Sequence, residues 1–208
     1  MRPLTAFVAT LASCGLSVAM VSLDSGQPSQ GLELNAEYGL SGDVFRAVAK
    51  AVEIYETWED PALPGLDRLA IGLRTQGNQA EVWLVALEPN GAGTCLAREG
   101  LRFLFSEVYG PDLRISTFPS KPGEVLPLPS DLFYFSATSC RAARAAVERY
   151  STGPPDLCAM WITVKRAPRV WLVKLATDRN MRCKALLTHS ARYKVSPETF
   201  EVLEEDKD

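Results

Sequence analysis

Two stretches of this chain run through one order of elements, and that repetition limits the architecture more than any composition figure does. The first begins Ser41-Gly42-Asp43-Val44-Phe45-Arg46-Ala47-Val48-Ala49-Lys50-Ala51-Val52-Glu53-Ile54-Tyr55. Val44, Val48, Ala51, Val52 and Tyr55 fall at helical spacing on one face, opposite Arg46, Lys50 and Glu53. Ser41 or Asp43 suits the N-terminal cap. Beyond a loop with Pro61 and Pro64, residues 69–73 and 81–87 are apolar runs around the polar turn Gln76-Gly77-Asn78, which predicts a hairpin. The second stretch repeats the order. Residues 141–150, ending on Tyr150, mirror the helix, and residues 158–165 and 170–175 form a hairpin around a turn with Pro168. Val-Trp-Leu-Val-x-Leu occurs in both hairpins, and 12 residues separate Trp83 from Cys95 as they do Trp171 from Cys183. A third apolar strand follows each of those cysteines, at 101–109 and 185–195.

The fold class expected is therefore α+β: two repeated units, each one helix packed on an antiparallel sheet of about three to four strands. The alternation of Trp83, Val85 and Leu87 turns one face of the first sheet toward its helix, and Trp83 and Trp171 read as equivalent core residues. The units run 35–110 and 131–197, and each alone is near the lower size limit for a stable core. Between them, residues 111–130 form a Pro-rich irregular connector. Residues 198–208 read as an acidic, solvated tail.

The N-terminus sets the compartment. Arg2 precedes an uncharged apolar stretch from residue 4 to 23, which reads as a secretory signal. Ser17-Val18-Ala19 fits a cleavage site, giving a signal peptide at 1–19 and a Ser/Gln/Gly/Pro tether at 20–34. Leu11-Ala12-Ser13-Cys14 resembles a lipobox and would lipidate Cys14, and an uncleaved anchor is a third reading. All three place the chain in a secreted or periplasmic location, or at a membrane through its N-terminal segment alone. Without Cys14 there remain Cys95, Cys140, Cys158 and Cys183, an even number that suits two disulfides in an oxidising compartment. Hairpin geometry brings Cys158 toward Cys183 and leaves Cys95 for Cys140, with buried free thiols as the alternative. Their spacing lacks the close pairs of a zinc site.

A helix of the form Arg-Ala-Val-x-x-Ala-Val-x-x-Tyr, a loop, an apolar hairpin and a cysteine resembles the cystatin-like superfamily, with residues 46–95 similar to the cathelicidin and cystatin pattern and the doubled arrangement similar to latexin. The resemblance implies a fold. It does not carry inhibition of papain-like proteases, because Gln76-Gly77-Asn78-Gln79-Ala80 departs from Gln-x-Val-x-Gly and no Pro-Trp pair occurs.

Chemistry-bearing residues are few. His189 is the one histidine, and its neighbour Ser190 would point to the opposite face of a strand, so a catalytic pair is not expected. Glu56 and Glu59 share a helix face only if the helix runs on through Glu56-Thr57-Trp58-Glu59-Asp60, and this run reads as a solvated helix end. With 22 Lys and Arg against 25 Asp and Glu, a net charge of −3, the chain lacks the positive field that nucleic acid requires. No cofactor or metal is expected, and no catalytic residue is assigned. The aromatic run Phe133, Tyr134 and Phe135 beside the connector either packs the units together or binds a partner. The reading that follows is a non-enzymatic exported protein that binds another protein, possible inhibition included. The alternative is a small-molecule or lipid-binding module with its pocket between helix and sheet.

Overall fold

The computed structural model describes residues 34–57, 64–89, 95–110, 112–117, 131–150, 156–177 and 189–207. In chain order these form β1 (Glu37–Ser41), α1 (Gly42–Glu56), a 3₁₀ turn (Leu66–Arg68), β2 (Leu69–Gln76), β3 (Gln79–Pro89), β4 (Cys95–Ser106) and β5 (Arg114–Thr117). Then follow β6 (Phe133–Ser136), α2 (Ala137–Tyr150), a 3₁₀ turn (Leu157–Ala159), β7 (Met160–Ala167), β8 (Val170–Thr177), β9 (Ala191–Val195) and β10 (Val202–Lys207). The order strand, helix, 3₁₀ turn and four strands thus occurs twice in an α+β fold.

Local chemistry accounts for the element ends. The Ser41 hydroxyl accepts a hydrogen bond from the Val44 N–H at 3.4 Å and caps α1, and Asp43 in the first turn suits the positive end of the helix dipole. At the other end the Thr57 hydroxyl donates to the Glu53 and Ile54 carbonyls. Val44, Val48, Ala51, Val52 and Tyr55 are all buried, as their spacing requires. Between β2 and β3 the chain reverses at Gly77-Asn78, where Gly77 takes a φ of 57°.

The sheets are ordered β5-β4-β3-β2-β6 and β1-β7-β8-β9-β10. In each, the edge strand that precedes a helix belongs by sequence to the other half. β1 lies antiparallel to β7, with Leu40 opposite Ile162, and β6 lies antiparallel to β2, with Phe135 opposite Ile71. A parallel bridge from Asn35 to Phe135 ties the two exchanged strands together, and both the Asn35 backbone N–H and its side-chain amide donate to the Tyr134 carbonyl, at 2.9 and 2.8 Å. One apolar core runs through both helices and both sheets, including Val48, Val52, Ile71, Leu84, Phe103, Phe135, Ile162, Leu175 and Tyr193. Units 35–110 and 131–197 therefore do not each complete a sheet of their own.

Four local expectations change. The helix-side residues of β3 are Ala80, Val82 and Leu84, whereas Trp83 and Val85 pack on the outer face with Leu132 and Tyr134. Residues 80–85 are buried on both faces, so alternation carried no sign of which face meets the helix. Trp83 and Trp171 are not equivalent: counted from the hairpin turn, Trp83 is fifth in β3 and Trp171 second in β8, and Trp171 lies on the core side. A shift of three residues moves a side chain to the opposite face of a strand. Residues 198–208 contain the edge strand β10, which stays largely exposed; in it Glu204 pairs with Lys194, while Glu205 pairs with Arg149 and accepts from the Tyr193 hydroxyl. The connector 111–130 contains β5, and its residues 118–130 lie outside the described residues.

The two halves press together where α1 starts. A Cβ on Gly42 would lie 1.4 Å from the Leu157 carbonyl oxygen, a backbone atom that cannot step aside alone. Gly42→Ala is expected to lower the unfolding free energy by about 1–3 kcal/mol or more, as read from urea titration. An unchanged midpoint would mean that this contact is not held in solution.

Candidate functional site

The outer face of the sheet β1-β7-β8-β9-β10 is the candidate. Alternation along each strand turns Tyr38, Leu40, Ile162, Val164, Val173, Leu175 and Tyr193 into the core and leaves the intervening residues outside. The registers arrange those outer residues in rows across the sheet. One row reads Glu37, Lys165, Leu172, Lys194, Glu204, and the next reads Gly39, Thr163, Lys174, Arg192, Asp206. The face is concave and forms a groove of about 410 Å³ lined from all five strands.

Positive charge sits on the three central strands and negative charge at the edges. Lys165 pairs with Glu37 at 3.0 Å and Lys194 with Glu204 at 2.6 Å. Both pairs are exposed, so each contributes only about 0–1 kcal/mol. Lys174 stands directly opposite Arg192 and has no hydrogen bond or ion pair among the described residues. Like charges directly opposite across a strand pair are destabilising.

A second depression, of about 380 Å³, lies at the start of α2 and is lined by Asn35, Ser136, Thr138, Arg166, Trp171 and Pro197 among others. Its hydroxyls are paired among themselves: Ser136 with Thr138 and, deeper, Tyr38 with Ser139, each at 2.7 Å. The Arg166 guanidinium lies 4.7 Å from the centre of the Trp171 ring, and the Trp171 indole N–H is buried without a hydrogen-bond partner.

The other sheet carries a closed network on its outer face. Glu81 is buried, accepts from the Trp83 indole N–H at 3.0 Å, and pairs with Arg102 at 2.7 Å and with Arg74. Arg74 also reaches Asp131 at 2.8 Å, and its hydrogen bond holds the Asp131 carboxyl below its ordinary value. These groups satisfy one another, so the arrangement is structural.

Residues singled out from the sequence are dispersed. Phe135 is fully buried and stacks on Tyr38 at 4.2 Å between ring centres, Tyr134 packs on the opposite face with Trp83, and only Phe133 is exposed, at 38%. The three therefore do not form one binding patch, because successive strand residues face opposite ways. His189 precedes β9, and its ring lies 5.2 Å from that of Tyr150. Glu56 ends α1 and pairs with Arg141 and Arg144 of α2, so it is a bond between helices; Trp58, Glu59 and Asp60 lie outside the described residues. Cys140 is a buried free thiol, which excludes the Cys95–Cys140 bridge. Cys158 is disulfide-bonded, and its partner's side chain, like those of Cys14, Cys95 and Cys183, lies outside the described residues. Among the described residues no group of three or more His, Cys, Asp and Glu side chains is placed to hold a metal ion, and no helix is long and apolar enough to cross a membrane.

Fold and surface together define an α+β protein of two strand-exchanged halves with an open, charge-rowed groove. No family model, curated protein or solved structure matches the chain.

Two outcomes follow from these environments. Burial pushes the Cys140 thiol up to about 12, so it should resist alkylation by iodoacetamide near neutral pH in the folded protein and react once denatured. Peptide mapping that found Cys140 labelled in the native state would contradict its burial. Trp83→Ala should cost about 3–5 kcal/mol and Glu81→Ala about 1–3 kcal/mol in denaturant titrations, the second because it leaves the buried indole N–H of Trp83 without its acceptor.

Proposed function

We propose that the chain is a duplicated, cystatin-like helix-on-sheet scaffold, exported from the cytosol, that acts without catalysis by binding another protein on the outer face of β1-β7-β8-β9-β10. The observation that carries this is the groove itself: residues from five strands converge there, and Lys174, opposite Arg192, has no partner among the described residues. The duplication is supported by corresponding core positions in the two sheets. Val82 and Leu84 of β3 match Val173 and Leu175 of β8 when counted from their hairpin turns, and all four are buried. Export rests on the N-terminal sequence, with Ala19 cleavage preferred over lipidation at Cys14. A Cys158–Cys183 bridge is consistent with the bonded state of Cys158 and the free thiol of Cys140.

The depression beside Trp171 favours a second reading, small-molecule binding, because a buried indole N–H lacks an acceptor there.

The test is capture from the exported proteins of the source cell by immobilised wild type, Lys174→Glu and Arg114→Glu, the last a charge reversal on the far edge of the other sheet. Specific partners should be retained by wild type and Arg114→Glu and fall at least about tenfold, roughly 1.4 kcal/mol, with Lys174→Glu. Equal retention by all three would overturn the reading.

A further inference from the structure

We infer that the groove on β7, β8 and β9 receives an extended acidic segment of a partner polypeptide, with acidic side chains at alternate positions; this rests on the binding face proposed above. Four cations meet there in two rows. Lys165 and Lys194 flank Leu172 in one, and Lys174 and Arg192 stand side by side in the next. All four are exposed; Arg192 also stands opposite Asp206, whereas Lys174 has no counter-ion among the described residues. A bound carboxylate between Lys174 and Arg192 would turn their repulsion into attraction, strengthened by the concave, partly apolar surroundings.

The geometry selects a peptide strand over other anions. Neighbouring strands lie about 4.8 Å apart and alternate residues along a strand about 6.7 Å apart. The two cation rows are therefore spaced as the same-side residues of an extended chain lying along β8 would be. Leu172 supplies an apolar contact within the first row, between Lys165 and Lys194. Glu37 on one edge and Glu204 and Asp206 on the other confine the positive zone to three strands, about 10 Å across. A polyanion wider than one strand would meet those carboxylates, and the chain's net charge of −3 opposes nucleic acid at longer range.

The probe is a fluorescein-labelled peptide of about ten residues alternating Glu and Val, titrated with the full chain by fluorescence anisotropy, beside a Gln/Val control. Binding of the Glu peptide should weaken at least about tenfold for Lys174→Glu/Arg192→Glu and for the milder Lys174→Gln/Arg192→Gln, fall with added salt, and be unchanged for Arg114→Glu. Circular dichroism and thermal midpoints of the variants show that they are folded. Equal binding of the Glu and Gln peptides, no binding of either, or no loss in both folded double variants overturns the inference. Displacement by inorganic phosphate or a sulfated glycan at the same anion concentration also overturns it, and identifies a general anion site. If the peptide result fails while partner capture still depends on Lys174, the acidic-segment inference falls and the binding face stands; if capture is also indifferent to Lys174, both fall.

Discussion

The exchange of edge strands between the two halves is the constraint on which the rest depends. β1 leaves the half that begins with it to pair with β7, and β6 leaves its own half to pair with β2. Each sheet therefore lacks an edge until the other half is present. The exchange also carries Tyr38 across the molecule to stack on Phe135 and to meet Ser139 at the start of α2, so that one core replaces two small ones. A pair of modules near the lower limit of independent stability becomes a single larger unit that buries a greater share of its surface.

How far the sequence spoke depends on how local each signal was. Helix α1 was legible because its cap, stripe and end lie within a few turns of one another. Both hairpins were legible because a short polar turn separates their apolar runs. The exchange was not, since a strand's partner leaves no mark in the strand itself when candidate partners are equally apolar. The burial of Trp83 was anticipated, but its face was not, because a strand covered on both sides has no polar phase to read. Residues 202–207 carry the charge of a solvated run and stay largely exposed, yet they pair with β9 as β10, where Lys194, Arg149 and Tyr193 meet their carboxylates.

The candidate surface was less legible still. Lys165, Lys174, Arg192 and Lys194 are ordinary exposed cations in a chain that is acidic overall, and nothing in their spacing draws attention. They become a group only through the registers of β7, β8 and β9. The aromatic run at residues 133–135 drew attention by its density, yet alternation along β6 divides it between two faces. A surface composed across strands hides from a linear reading, whereas a run of similar residues on one strand announces more than it delivers.

The exchanged strand has a consequence for how the protein comes into being. A chain made from its N-terminus cannot seat β1 until β7 has been synthesised, and the sheet of the first half stays open at β2 until β6 arrives. Pairing of this kind is non-local and slow to form. Until then the first half keeps an open sheet edge, and closure falls to the moment when both halves of the chain have been made.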